Sequence, residues 1–255
     1  MKTRSPLEPL SGGEIMGASP GRGFPSKLIP IEVPPHVVML RGIGRDSNIY
    51  LVRDEEEALI IDTGTGINWH LYTEIWEREG YLTDVEHVTI FNTHEHFDHV
   101  GGNKVLQRWL EERGIEVSFA AHKITANVLE RGDEGVILSY FYGRRFEPHQ
   151  VDFKLEDGDK LNVSSLELLV VHTPGHTAGS SCLYLDDGKH RVMFTGDTVF
   201  KGTVGRTDLP TGDGWALRES LERLAEFDVD FGFPGHGDYI RDWKENLREV
   251  LRWLP

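Results

Sequence analysis

The segment FNTHEHFDHVGG, residues 91–102, places three imidazoles and the carboxylate of Asp98 within six residues: His94, His96, Asp98 and His99. An apolar run precedes it, so the cluster begins where a predicted β-strand ends. Imidazole nitrogen and carboxylate oxygen are ligands that Zn²⁺, Fe and Mn²⁺ accept. In a strand-end turn the first two histidines project to one side, and the other two residues begin the next turn. The spacing predicts a metal site that uses part of the set for one ion or all of it for two.

Three more candidate ligands follow strands later in the chain. His176 comes after a Pro-Gly turn in HTPGHTAGS, Asp197 ends the apolar run of FTGDTVF, and His236 follows the turn in FPGHGDY. Loops at one edge of a rigid sheet commonly carry functional residues. Together with the first cluster, these positions predict one metal centre built from separate segments. His172, four residues before His176, either supports this centre or is structural.

The elements that must position these ligands are short. Apolar, β-branched runs bounded by turn residues predict strands in both halves of the chain, among them NIYLV, ALIIDTG, HVTIFNT, LELLVV, RVMFTGD and VDFGFPG. Ile67, Leu71 and Ile75 recur at helical spacing and predict a helix over residues 66–79. Two β-rich halves with helices at intervals predict two packed sheets with helices outside them.

The domain organisation follows from composition. Residues 1–30 are rich in Gly, Pro and Ser, which predicts an extended or disordered N-terminal arm. Residues 31–255 form one predicted domain, with an inserted loop at about 130–151. The insert is aromatic and basic, and its side chains either wall the pocket or pack a dimer contact. Those side chains are Tyr140, Phe141, Tyr142, Arg144 and Arg145.

Composition and charge limit the partners. The chain has 27 Lys and Arg against 42 Asp and Glu, a net charge of −15, which disfavours nucleic acid as a partner. Cys182 is the only cysteine, so an internal disulfide and a thiolate metal cluster are both excluded. We find no apolar run that predicts a signal peptide or a membrane span, and therefore expect a cytoplasmic protein. The composition, with only two glutamines and many Glu and Arg residues, is typical of a protein from a thermophile.

The segments THEHFDH, TPGHT, GD and PGHG, in this order, resemble the metallo-β-lactamase superfamily over about residues 33–255. FTGDTVFKGTVGRTDLPTGD is further similar to glyoxalase II-like hydrolases and to the related persulfide dioxygenases. The resemblance implies an α/β (α+β) protein folded as a four-layer αββα sandwich. It also implies that the metal site lies at the loop edges between the two sheets.

The resemblance further implies how the ligands divide between two ions. One ion would be held by His94, His96 and His176, the other by Asp98, His99 and His236, and both by a bridging Asp197. Asp62, in IIDTG, matches a position that supports the site from behind the ligands. Two divalent ions are expected, with zinc favoured and iron or manganese also compatible with these donors.

The implied activity is hydrolysis of a small acyl substrate, such as a thioester or lactone, by a hydroxide held at a binuclear site. Asp98 and Asp197 would offset the metal charge and orient the proton of that hydroxide. Arg206, in VGRTD, is either a surface arginine or a clamp for a substrate carboxylate.

Two other activities remain open on the sequence. A mononuclear non-haem iron persulfide dioxygenase would use His94, His176 and Asp197 as two histidines and one carboxylate. A small phosphoesterase is a further alternative. The ligand set does not choose between them, although PGHG around His236 favours a hydrolase.

Overall fold

The computed structural model describes residues 30–33 and 36–254, so the predicted arm at residues 1–30 lies outside it except for its last residue. A first sheet of seven strands follows chain order, β1 to β7. Its strands up to β4 pair antiparallel, and β4 to β7 pair parallel. They are β1 (Ile31–Val33), β2 (Val37–Leu40), β3 (Ile49–Asp54), β4 (Glu57–Ile61), β5 (His87–Asn92), β6 (Glu116–His122) and β7 (Phe153–Leu155).

A second sheet of five strands has the order β14-β11-β10-β9-β8. All its pairs are antiparallel except β11 with β14, which is parallel. Its strands are β8 (Lys160–Val163), β9 (Leu166–His172), β10 (Ser181–Asp186), β11 (Arg191–Gly196) and β14 (Phe231–Pro234). A small hairpin, β12 (Val199–Phe200) and β13 (Thr203–Val204), follows β11.

Helices cover the outer faces of both sheets. On the first sheet lie α1 (Trp69–Glu79), α3 (Asn103–Glu111) and α4 (Lys123–Arg131), and on the second lie α6 (Gly214–Leu224) and α7 (Trp243–Leu251). Two single-turn helices, α2 (Phe97–Val100) and α5 (Glu134–Ile137), and a 3₁₀ helix, Ser139–Tyr142, complete the set. None of the helices in the described residues is long and apolar enough to span a membrane.

Side-chain alternation along the strands divides the core into three layers. In β3, Ile49 and Leu51 pack under the helices of the first sheet, whereas Tyr50 and Val52 pack against the second sheet. Successive strand residues point to opposite faces, so a strand buried on both faces reads as one continuous apolar run. A third core lies between the second sheet and its own helices. The predicted αββα sandwich is confirmed.

The first predicted helix begins later than its periodicity indicated. Gly66 has φ +81°, a left-handed conformation that an α-helix cannot contain, and α1 starts at Trp69. Ile67 therefore lies before the helix and is 46% exposed. The buried face is instead aromatic, with Trp69, Tyr72 and Trp76 beside Ile75.

The segment at 130–151 is partly helical. It contains the end of α4, the turn of α5 and the 3₁₀ helix, and it buries Ile137 and Phe146 in the first core. Tyr140 and Phe141 remain exposed, with their rings in contact. This segment is thus anchored at both ends while its aromatic tip faces outward.

Candidate metal centre

The predicted ligands all follow the carboxyl ends of strands. β4 and β5 are parallel, as are β11 and β14, and β9 runs with β11 because both pair antiparallel with β10. The carboxyl ends of each group therefore meet at one edge of their sheet. The residues placed there are Asp62 after β4, His94 and His96 after β5, Asp98 and His99 in α2, His176 after β9, Asp197 after β11 and His236 after β14.

Three of the imidazoles form a first group. His94, His96 and His176 present ligand atoms that lie within 4.8 Å of one another. Nδ1 of His96 is 2.9 Å from Nε2 of His176, and the ring of His94 lies edge-on to both. All three side chains are buried. The two sheets thus each contribute ligands to one cluster.

Asp98, His99 and His236 form a second group, also with ligand atoms within 4.8 Å of one another. Nε2 of His236 lies 3.2 Å from Nε2 of His99 and 3.3 Å from Oδ2 of Asp98.

Asp197 lies between the two groups. Its Oδ1 is 3.2 Å from Nε2 of His99, and its Oδ2 is 3.6 Å from Nε2 of His176 and 3.7 Å from Nε2 of His236. The carboxylate therefore reaches both sets of imidazoles, which is the geometry a bridging ligand requires.

Hydrogen bonds behind the ligands fix which ring nitrogens face the centre. Nδ1 of His99 lies 2.7 Å from Oδ2 of Asp62, and Nδ1 of His176 lies 2.7 Å from the backbone oxygen of Arg206. A neutral imidazole has one N–H, and here the outward nitrogen donates it. The inward Nε2 of each ring then carries a lone pair, as a metal ligand must.

The residues fit divalent metal ions. Two nitrogen atoms of His96 and His176 approach to 2.9 Å, and Nε2 of His94 is buried with no hydrogen-bond partner among the described residues. Buried polar groups of folded proteins are normally paired. A cation at each group would satisfy these nitrogen atoms, and the pair would be held by His94, His96, Asp98, His99, His176, Asp197 and His236. Nitrogen and oxygen donors suit zinc, iron and manganese alike.

Burial and charge act differently on the individual ligands. Burial acts to lower the pKa of His99 and His236, but the charge of Asp197 outweighs it and raises both values, so a cation would displace a proton from these two rings. Burial is the main cause that lowers the pKa of His96, to about 3, and of His94, well below its ordinary value. Burial opposes the ionisation of Asp197, yet the imidazoles of His99 and His236 outweigh it and hold the pKa of that carboxyl well below its ordinary value. Neutral imidazoles and ionised carboxylates are the forms that bind cations.

The backbone of Gly235 lies very close to the ligand side chains at the point where the two sheets meet. A Cβ atom on Gly235 would lie 2.3 Å from Oδ1 of Asp197 and 2.6 Å from Cε1 of His99, so only glycine fits before His236. Asn48 ties the sheets together at this point, because its backbone N–H donates to the oxygen of Gly235 at 2.6 Å. The ligand geometry is thus set by contacts between the sheets.

Two contacts were not predicted from the sequence. Glu95, between two ligands, points away from them, and its buried Oε2 accepts hydrogen bonds from the hydroxyls of Thr125 and Thr177. Its position between His94 and His96 in an extended turn was the available signal. Tyr142, from the insert, hydrogen-bonds the Asp98 carboxylate, and burial followed by that charge raises its pKa. Its aromatic context gave no indication of this partner.

Arg206 is placed by both its backbone and its side chain. Its carbonyl oxygen accepts a hydrogen bond from His176 and orients that ring. Its guanidinium forms a bidentate salt bridge with Asp208, with both hydrogen bonds at 2.6 Å. The side chain is 62% exposed. His172 does not join the centre: its Nε2 donates to the oxygen of Ala178, and its ring stacks on His122.

Comparison with known proteins agrees with this architecture. The profile of the metallo-β-lactamase superfamily matches residues 42–236. A probable metallo-hydrolase of Methanocaldococcus jannaschii is 35% identical over 207 residues, which are 79% of this chain and 93% of that protein. The acyl-coenzyme A thioesterase MBLAC2 of Homo sapiens is 31% identical over 221 residues, 76% of this chain and 74% of its own.

A solved structure extends the similarity to the fold. The BLEG-1 B3 metallo-β-lactamase superimposes with a TM-score of 0.65 at 27% identity, covering 82% of this chain and 93% of that one. The profile match spans every ligand from His94 to His236. The chain therefore belongs to the metallo-β-lactamase superfamily and is an enzyme of its metallo-hydrolase kind.

Proposed function

We propose that the protein hydrolyses small acyl substrates, with thioesters as the preferred class, in the manner of a glyoxalase II-like enzyme. The observation that carries the proposal is the position of Asp197 between two complete donor groups, which supports a site for two ions. The similarity to an acyl-coenzyme A thioesterase supports the thioester class. We take the ions to be zinc.

Divalent ions held here supply Lewis acidity and lower the pKa of water toward neutrality. The chain's own residues orient the reactants. Asp98 is ionised, because the neighbouring imidazoles of His236 and His99 outweigh the opposing effect of burial and lower its pKa. Its carboxylate can therefore accept a hydrogen bond from an attacking water and orient it, beside the hydroxyl of Tyr142.

A nucleophilic side chain is not needed for this chemistry. Cys182 is buried behind the second sheet, and burial raises the pKa of its thiol to about 11. A thiol in that state is a poor nucleophile at neutral pH. Water is therefore the attacking group in the proposed reaction.

Metal content and thioester hydrolysis test the proposal together. Protein purified without added metal is analysed for metal identity and stoichiometry, and assayed on a short acyl thioester. We expect two ions per chain and hydrolysis that Asp197→Ala abolishes together with metal binding, whereas Asp208→Ala, at an exposed carboxylate, retains both. One iron per chain with oxygen uptake on a persulfide would replace the proposal with the dioxygenase alternative.

A further inference from the structure

A cavity of about 260 Å³ is lined by Phe97, the residue before the candidate ligand Asp98. It lies between the first turns of α3 and the insert, and four cations line it against one carboxylate. Those side chains are Lys104, Arg108, Arg144, Arg145 and Glu147. Such a concentration of positive charge is unexpected in a chain of net charge −15.

Most of this positive charge has no carboxylate partner among the described residues. Glu147 is taken by Arg108, at 3.1 Å. Within residues 36–254, which include the whole cavity wall, no carboxylate pairs with Lys104, Arg144 or Arg145. Cations elsewhere on the surface are commonly paired with acids, as the bonds from Arg223 to Asp157 illustrate. The cavity therefore holds three cations that lack a carboxylate partner in the described part of the chain.

The cavity is adjacent to the ligands. Phe97 lines it, and the next residue is the ligand Asp98. The ring of Phe97 packs on Tyr142 at 5.3 Å between centroids, and Tyr142 in turn contacts Asp98. Arg145 follows Tyr142 by three residues, so their Cα atoms are separated by at most roughly 11 Å. A group bound by these arginines thus lies within one small molecule's length of the metal centre.

The chemistry of the wall selects phosphate. A guanidinium presents a planar fork of donors that matches phosphate oxygens, and two guanidiniums without a carboxylate partner among the described residues line this cavity. The cavity also borders the first turn of α3, which contains no acidic residue and carries the positive end of the helix dipole. A single carboxylate would need one of these cations, whereas phosphate groups with several negative charges would use all three.

We propose that this cavity is a phosphate-recognition subsite, which binds the phosphorylated end of a thioester whose leaving thiol is of the coenzyme A type. The inference rests on the proposed thioesterase function and assigns it a substrate class. The thioester lies at the metal centre, the path runs past Phe97 and Tyr142, and Arg144, Arg145 and Lys104 bind phosphate. Free inorganic phosphate is the other source of the same chemistry.

The test compares two substrates with the same thioester, of which one ends in pantetheine and the other in the phosphorylated adenosine of coenzyme A. Butyryl-coenzyme A and butyryl-pantetheine carry the same thioester, and only the first has phosphate groups. We expect the parent enzyme to show the lower KM for butyryl-coenzyme A. Arg144→Gln with Arg145→Gln should raise that KM by about ten- to hundredfold, since bonds to charged groups are the strong ones, and leave butyryl-pantetheine unchanged.

A matched double variant controls for net charge. Lys189→Gln with Arg252→Gln also removes two exposed cations, but in the hairpin after β10 and just beyond α7. It should leave both KM values at the parent level. Equal melting temperatures of the two double variants show that the side chains of the insert are not needed for folding.

Binding without turnover separates the two proposals. S-methyl-coenzyme A, titrated calorimetrically, should bind the parent and lose affinity in the Arg144/Arg145 variant, with inorganic phosphate binding far more weakly. If both thioesters are hydrolysed with equal KM, thioester hydrolysis stands and the subsite is overturned. If neither is hydrolysed but S-methyl-coenzyme A binds through these arginines, thioester hydrolysis fails and the subsite stands. Equal affinity for inorganic phosphate would assign the cavity to a free anion and overturn substrate recognition.

Discussion

The carboxylate of Asp62 lies 2.7 Å from Nδ1 of His99 and turns the opposite nitrogen of that ring toward Asp197. The same carboxylate accepts hydrogen bonds from the backbone N–H and the hydroxyl of Thr93, both at 2.8 Å. One buried acid at the end of β4 therefore fixes both the path of the chain after β5 and the tautomer of a ligand.

Asp62→Asn should weaken one of the two metal positions. The amide keeps an oxygen for the Thr93 backbone but directs its NH₂ at His99, so the ring must carry its proton on Nε2 and cannot bind an ion there. Affinity for the ion held by His99 should fall about ten- to hundredfold. A competition titration against a chromophoric chelator measures the two affinities.

Asp84→Asn is the control, because Asp84 is exposed and has nearly the same left-handed φ, +62° against +59°. It separates backbone effects from the loss of the carboxylate. If Asp62→Asn retains both ions at parental affinity, orientation by Asp62 is not needed for binding.

His176→Ala should lose metal, whereas His172→Ala should retain it. Both flank the turn at Pro174 and Gly175, but only His176 has a nitrogen among the ligand atoms. His172 supports the loop through its bond to the oxygen of Ala178. Metal analysis after dialysis distinguishes the two, and equal losses would mean that the loop bond is as necessary as the ligand.

Arg206→Ala should raise KM for a carboxylate-bearing thioester and leave metal content unchanged. An exposed ion pair contributes little free energy because water screens it, so a substrate carboxylate can displace Asp208 at small cost. The variant keeps the backbone oxygen that orients His176. Steady-state assays on an acidic thioester and a neutral ester should show about a tenfold or larger loss of kcat/KM on the acidic one alone. An equal loss on both would assign the side chain to loop structure.

His122 should make the protein less stable as the pH falls from 6.5 toward 4. Burial, with His172 and Lys123 adding to it, lowers the pKa of His122 to about 4 from an ordinary 6.5. Between these values the unfolded chain binds a proton that the folded chain does not, so stability is lost on acidification. Between pH 7.5 and 5 the loss from this residue is at most about 2 kcal/mol, and screening by solvent reduces it.

His122→Asn keeps a side chain that can cap α4 and removes this titration. Urea unfolding at pH 7.5 and 5 should therefore show a smaller stability difference for the variant than for the parent. His70→Gln, at an exposed histidine on α1, should match the parent at both pH values. An unchanged pH dependence in His122→Asn would assign the loss to other groups.

The sequence by itself determined the layers and predicted the candidate ligands. Apolar runs with turn residues located the strands, because a strand buried on both faces must be apolar along its length. HTPGH and FPGHG placed His176 and His236 at strand ends, where a turn leaves the side chain free of the ladder. These are local relationships, and residue type with spacing is sufficient to express them.

Only the tertiary structure decided which atoms meet. The left-handed φ of Gly66 excludes this residue from the helix, and Ile67 remains exposed although its spacing is that of a helix. Tyr142 reaches Asp98, and Arg144 and Arg145 join Lys104, because the insert folds back over α2 and α3. Arg206 turns its carbonyl to His176 and its side chain to Asp208. Such pairings depend on the packing of segments far apart in sequence, which residue type and spacing do not encode.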